Sequence, residues 1–247
     1  MTSNRFFFES TQIQFPYIYL EGDEHHHLTN VVRIKPPQKV WLFDGKGTGY
    51  LTEVEEILGE RTRLRILKKE KENPPRVKIT LSQALIKTKN MEFILQKVTE
   101  LGLSHFIPVI TSRSLVKVED KINTKISRWK RIIREAAKQS GASYLPSVSP
   151  PQELSRVIQR KEEKKLFLSE RGGKKLKEIL LDDPQVSGGG LFSTALILVG
   201  PEGGWTEKEE IDILEHGFER VSLGSQILRT ETASICAAAM MAHFWNH

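Results

Sequence analysis

An α/β fold class, with a small β-rich domain ahead of a larger domain built on a mostly parallel sheet, is predicted by three features of this sequence. Up to residue 70, short runs rich in β-branched and aromatic residues follow one another closely. Lys71-Glu72-Asn73-Pro74-Pro75 then breaks the pattern, because two prolines after a charged run continue neither a central strand nor a helix interior. Beyond the break, strand-like runs alternate with helix-like ones, the rhythm of a parallel sheet covered by helices on both faces. Domains are therefore expected at 1–72 and 73–247.

In the first domain the strand runs are 5–8, 17–20, 39–43, 50–57 and 61–67. Many short strands of this kind build a small barrel or sandwich. The 61–67 run alternates, so Arg61, Arg63 and Arg65 share one strand face opposite Thr62, Leu64 and Ile66. Asp44-Gly45-Lys46-Gly47 reads as a hairpin turn, and a short helix is expected over 23–32. In the second domain, 77–81 is a strand. Met91, Phe93 or Ile94, Val98 and Leu101 recur at helical spacing over 90–101, and Gly102 is the stop. A strand at 106–110 precedes a basic helix at 123–139, whose apolar stripe is Ile126, Trp129, Ile133 and Ala137. A strand at 166–168 and a helix at 174–181 follow. Ser187-Gly188-Gly189-Gly190 is a flexible insertion before 195–199, an unbroken apolar strand suited to a sheet centre. Helix 207–216, strand 220–223 and helix 230–244 complete the set.

The 247 residues are 38% hydrophobic and 28% charged, enough for a core and too apolar for a disordered chain. Cys236 is the single cysteine, so no internal disulfide forms and a reducing compartment is expected. No apolar stretch reaches the ~18 residues of a membrane helix. Residues 1–15 lack the pattern of a signal peptide, so a soluble, cytoplasmic protein is expected, with no membrane partner. The net charge of +6 is unevenly spread: 0 over 1–72, +10 over 73–170 and −4 over 171–247. The surplus is densest from Lys117 to Lys138. Such a concentration suits a polyanion, nucleic acid first, although a solvated helix face is the commoner meaning of a charge run.

Two apparent sites fail on context. Gly45-Lys46-Gly47-Thr48-Gly49 lies between strands and opens no helix, which a dinucleotide-binding loop must do. His25-His26-His27 are adjacent, so their side chains diverge and do not share one metal ion; no metal is expected. Stronger signals sit at three strand ends. Leu166–Leu168 runs into Ser169-Glu170-Arg171-Gly172. The central strand runs into Gly200-Pro201-Glu202-Gly203-Gly204, and the last strand into Gly224-Ser225-Gln226-Ile227-Leu228-Arg229-Thr230-Glu231-Thr232. Ligands of α/β sheets bind outside the carboxyl ends of the strands, where glycine allows close backbone approach. These loops mark a site without naming its ligand.

The residues Leu198-Val199-Gly200-Pro201-Glu202-Gly203-Gly204-Trp205, followed by Leu223-Gly224-Ser225-Gln226-Ile227-Leu228-Arg229-Thr230-Glu231-Thr232-Ala233, resemble the paired signature of the ribosomal RNA small subunit methyltransferase E family, part of the SPOUT superfamily. The resemblance runs the length of the chain: Arg5-Phe6-Phe7, His26-His27-Leu28, Val32-Arg33, Gln96-Lys97, Glu100-Leu101-Gly102, Pro108, Thr111, Arg113, Glu135-Ala136-Ala137 and Gln139-Ser140 all match. Ala142 departs, since family members often carry Arg there.

The resemblance implies a PUA-like RNA-binding β-barrel followed by a SPOUT-type parallel sheet with a C-terminal trefoil knot, and a homodimer. It implies methyl transfer from S-adenosyl-L-methionine to N3 of a uridine in 16S rRNA, with the small ribosomal subunit or a late assembly intermediate as partner. The cofactor would rest on Leu168, Ser169, Val199, Gly200, Gly203, Leu223, Gly224, Ile227 and Leu228. The donor methyl is already activated, so the chain must orient the acceptor and stabilise the charge that develops as the N3 proton leaves. Arg229 and Arg113 are the candidates for that charge, and Glu202 for the proton. Arg229 in an ion pair with Glu202 or Glu231 is the competing structural role. RNA contacts are expected from Arg5, His27, Arg33 and Gln139, from Arg61, Arg63 and Arg65, and from Lys125, Arg128 and Arg131. A ribose 2′-O or transfer-RNA methyltransferase and a non-catalytic ribosome-assembly factor remain as alternatives.

Overall fold

The computed structural model describes residues 4–114, 122–182 and 192–246. The chain divides into two compact units, one of Met1–Pro74 with Ala137–Leu145 and one of Pro75–Ala136 with Pro146–His247. The first unit thus takes in a segment that lies well beyond the proline break.

That unit holds β1 (Arg5–Phe7), β2 (Ile13–Gln14), β3 (Tyr17–Glu21), α1 (Gly22–His26), β4 (Lys39–Phe43), β5 (Thr48–Leu58) and β6 (Arg61–Lys71). A turn of π-helix over His27–Val31 extends α1. The strands form one sheet in the order β1-β4-β5-β6-β3-β2, with β1 parallel to β4 and the other pairs antiparallel. Strand alternation builds its core: Ile18, Leu20, Val40, Leu42, Val54 and Leu64 are buried together with Phe6, Phe8 and Leu28. The glycine-rich turn proves to be a packing surface. A Cβ on Gly47, whose φ is +89°, would stand 2.2 Å from the Tyr144 ring, and the Leu145 N–H donates to the Gly45 carbonyl at 2.9 Å.

The second unit holds β7 (Lys78–Ala84), α2 (Thr88–Glu100), β8 (His105–Ile110), most of α3 (Ile122–Ser140), β9 (Ser147–Val148), β10 (Gln152–Glu153), α4 (Leu154–Val157) and β11 (Lys164–Leu168). It continues with β12 (Lys174–Lys175), α5 (Leu176–Leu181), β13 (Thr194–Val199), α6 (Glu207–Glu215), β14 (Glu219–Ser222) and α7 (Thr230–Asn246). The sheet order is β10-β8-β7-β13-β11-β14-β12, with β9 also on β8, and every pairing is parallel. The apolar run of β13 lies at its centre, as expected. β14 enters between β11 and β12, two strands that precede it in the chain. Leu196, Leu198, Phe167, Ile107 and Val109 pack with Val157, Ile213 and Phe218 in one core. α7 packs on β7 and β13 and alongside α2 and α5.

The predicted helix over 174–181 begins as the short strand β12. The two-residue strands and the single turn of α4 carry too few positions for a periodic pattern, and the sequence does not announce them. The Ser187–Gly190 insertion, and Lys117 and Lys121 of the basic segment, lie outside the described residues.

Candidate active site

The carboxyl ends of β11, β13 and β14 lead into loops 169–172, 200–204 and 223–229, and all three border one cavity of about 730 Å³. Lys87 and Asn90, after β7, Arg113, after β8, Glu210 of α6 and Glu231 at the start of α7 also line it. Every residue proposed from the sequence for the cofactor lines it: Leu168, Ser169, Val199, Gly200, Gly203, Leu223, Gly224, Ile227 and Leu228. So do Arg113, Glu202 and Arg229.

Each loop is held from behind. Trp205 donates its Nε1–H to the Leu168 carbonyl at 2.8 Å, joining the first loop to the second. A Cβ on Gly200 would lie 3.1 Å from the Trp205 ring, so any larger residue must push that ring away. The Gly200 carbonyl accepts from Thr230 Oγ1 at 2.7 Å and from Gln83 Nε2 at 3.5 Å, and Ser234 donates to Gln83 Oε1. The buried Gln83 therefore ties β7, the second loop and the start of α7 together. Arg113 Nη1 donates to the Gly203 carbonyl at 2.7 Å and to that of Trp205 at 3.3 Å. Its guanidinium thus braces the second loop as well as facing the cavity. Behind the first loop, Ser169 Oγ donates to Glu210 Oε1 at 2.7 Å and accepts from Arg171 N at 3.0 Å. Arg220 Nη2 donates to Glu210 Oε2 at 2.9 Å.

The third loop differs. Among the described residues, the main-chain groups of 224–228 make no hydrogen bond within the protein. A cavity wall with uncommitted N–H and C=O groups suits a ligand that carries a heterocyclic base. Arg229 is exposed, and among the described residues it pairs with neither Glu202 nor Glu231. The structural ion pair weighed against a catalytic role is absent.

Glu209 secures the same end of the sheet. Burial works to raise its pKa, but donation by the Ser112 and Thr206 N–H groups and the Thr206 hydroxyl outweighs this and holds it below the ordinary value of 4.5. A depressed carboxylate contributes stability above its unfolded pKa and loses it as pH falls through the folded one. Thermal unfolding followed downward from pH 5 should show this loss, and Glu209→Gln should flatten the acid limb.

Sequence reasoning missed Gln83, Glu210, Arg220, Lys87 and Asn90. Two carried a signal. Gln83 takes the place where the alternation Ile79, Leu81 calls for an apolar residue, and Glu210 lies three residues before the buried Ile213, on the core face of α6.

The RNA candidates divide. Arg33 is exposed and held at φ +60°, a strained conformation for a residue with a Cβ. Arg131 and Gln139 are exposed on α3, and Lys125 lies on the same helix. Arg61 stacks over Tyr19. The others have partners within the chain: Arg63 with Glu55 at 3.0 Å, Arg65 with Glu53 at 2.8 Å and Arg128 with Glu92 at 2.8 Å. His27 Nδ1 lies 3.2 Å from Lys138 Nζ, and Arg5 reaches the Ala142 carbonyl and the Ser143 hydroxyl at 3.5 and 3.4 Å. The three histidines turn to separate partners: His25 to Thr62 and Gly59, His26 to Asn30, His27 to Lys138.

A family model described as an RNA methyltransferase domain matches residues 72–242, and one described as an RNA methyltransferase PUA domain matches residues 20–62. The ribosomal RNA small subunit methyltransferase E of Bacillus subtilis (strain 168) is 32% identical over 245 residues, spanning 97% of this chain and 96% of that protein. This chain belongs to the ribosomal RNA small subunit methyltransferase E family. The family member of the same name from Aquifex aeolicus (strain VF5) is 31% identical over 92% of this chain and 94% of its own. The crystal structure of the Neisseria gonorrhoeae member, bound to S-adenosyl methionine, superposes with a TM-score of 0.87 at 32% identity and covers 98% of each chain. The α/β class with a PUA-like first domain is thereby the fold of this family member.

Proposed function

We propose that this protein methylates the 16S rRNA of the small ribosomal subunit at N3 of one uridine, using S-adenosyl-L-methionine. The observation that carries the reading is the cavity itself, where three strand-end loops converge and one presents uncommitted main-chain groups. The Neisseria relative holds S-adenosyl methionine, and the cavity here fits such a group in size and in its mixed lining. Main-chain groups of Leu168, Gly200, Gly203, Leu223 and Leu228 would hold the adenine and ribose, with Ser169, Val199, Gly224 and Ile227 around them. When bound, the cofactor supplies a methyl group activated by a sulfonium cation.

The chain's own residues do the rest. Arg229 stabilises the negative charge on the uracil as N3 loses its proton. Glu202, exposed on the second loop, accepts that proton. Arg113 keeps the second loop in place and adds a second cation. Residues 1–72 bind RNA and 73–247 carry the chemistry in this reading. A trefoil knot belongs to it, supported by the entry of β14 between β11 and β12. So does a homodimer, supported by α7, where Ile235, Ala239 and Met240 remain half-exposed on an apolar helix. Among the described residues no helix is long and apolar enough to cross a membrane, in keeping with a cytoplasmic enzyme.

Calorimetry in the presence of EDTA should detect S-adenosylmethionine binding by the protein alone. Nucleoside mass spectrometry of ribosomal RNA from cells lacking the protein should show loss of one N3-methyluridine. A missing 2′-O-methyl nucleoside in its place would assign the acceptor to ribose. A folded protein that binds no cofactor would end the methyltransferase reading.

A further inference from the structure

Four cations line the cavity: Lys87, Arg113, Arg171 and Arg229. Arg113 is engaged with the Gly203 and Trp205 carbonyls, and Arg171 faces Glu207 at 3.6 Å. Among the described residues, Lys87 and Arg229 have neither an ion-pair partner nor a side-chain hydrogen bond. They also belong together in the fold. Lys87 immediately precedes α2 and Arg229 immediately precedes α7, and these two helices pack side by side. Carboxylates line the cavity too, Glu170, Glu202, Glu210 and Glu231, the last in the first turn of α7. The start of α2 and the end of the third loop thus bring to one cavity two cations that have no partner among the described residues. An RNA phosphate that enters the cavity is drawn to these two cations.

We propose that Lys87 holds a phosphate of the acceptor RNA next to the nucleotide that Arg229 faces, which makes it a substrate-binding residue of the methyl-transfer site. The inference rests on the methyltransferase reading above. Lysine is suited to this as a compact charge on a flexible stem, able to follow a phosphate as the strand settles. Asn90, half-buried one helical turn away, adds a neutral donor to the same end of the cavity.

The test compares wild type with Lys87→Ala, Lys87→Arg and, as an exposed control outside the cavity, Lys208→Ala. Substrates are small ribosomal subunits from cells lacking the protein; S-adenosylhomocysteine probes the cofactor side. Lys87→Ala should raise KM for the subunit about tenfold with kcat nearly kept. It should also make the log–log salt dependence of RNA binding shallower by about 0.7, the share of one phosphate contact on single-stranded RNA. S-adenosylhomocysteine affinity should not change, and Lys87→Arg should recover most of the loss. If Lys87→Ala instead weakens S-adenosylhomocysteine binding and leaves the salt slope intact, the anion is the cofactor's own carboxylate and the proposal is overturned. If no readout moves, or if Lys208→Ala behaves identically, Lys87 is a solvated lysine and the proposal is likewise overturned. Wild type that binds neither cofactor nor product would mark failure of the methyltransferase reading itself, and the salt slope would still decide whether Lys87 meets RNA.

Discussion

Arg229→Ala is expected to fold normally, to retain cofactor affinity and to lose about 100-fold in single-turnover methyl transfer. The magnitude is that of one charge-stabilising contact in a water-poor site, roughly 3 kcal/mol. Normal folding is expected because the side chain is exposed and, among the described residues, unpaired, so nothing in the protein is orphaned by its removal. Arg113→Ala should behave differently. Its guanidinium holds the Gly203 and Trp205 carbonyls, so its loss should loosen the second loop and weaken cofactor binding along with the rate. Single-turnover assays on small subunits, with cofactor affinity measured in parallel, separate the two. Near-normal transfer by Arg229→Ala would move the charge-stabilising role to Arg113. If proton loss from N3 limits the chemistry, the wild-type rate rises with pH; a flat profile would place the limit in product release.

The largest stability effect is expected at Glu210. This carboxylate is 4% exposed and accepts from both Ser169 and Arg220. Glu210→Ala strands the Arg220 guanidinium, whose side chain is 30% exposed, and frees the loop that begins at Ser169. Breaking a fully buried pair costs about 3–5 kcal/mol; water reaches Arg220, so a cost of about 2–3 kcal/mol is expected. That corresponds to a fall in Tm of roughly 5–10 °C. Glu207→Ala is the matched comparison. Its partner Arg171 lies at 3.6 Å and Glu207 itself is 83% exposed, so a change within about 0.5 kcal/mol is expected. Thermal unfolding by circular dichroism measures both. Equal effects at the two positions would show that burial of the Glu210 pair does not matter.

The sequence reveals the site more completely than its supports. Glycine and polar residues after apolar strands are visible because they break a strong pattern, and the three loops so identified share one cavity. Gln83 and Glu210 hold those loops from the interior, and their partners lie 151 and 41 residues away at Ser234 and Ser169. No local spacing encodes such contacts. Arg128 meets Glu92 36 residues away, whereas register rather than distance hides the pairing of Arg63 and Arg65 with glutamates 8 and 12 residues earlier. Alternation correctly places Arg63 and Arg65 on an outward strand face, but only the cross-strand register shows that Glu53 and Glu55 stand beside them. The contribution of residues 137–145 to the first unit is invisible for the same reason. The prolines at 74 and 75 are conspicuous, whereas the fit of Tyr144 against Gly47 exists only after folding.

The position of β14 bears on the order in which the enzyme is made. Its two neighbours, β11 and β12, are only a short turn apart in the chain and are synthesised well before it. β14 settles between them once it has been made. The third loop and Arg229 follow β14 directly, so the cavity acquires its last wall only after that insertion. Such late, long-range assembly is slow compared with the closing of local hairpins. In the proposed reading, a chain stalled short of this step lacks the third wall of the methyl-donor cavity, and catalytic competence reports that folding has finished.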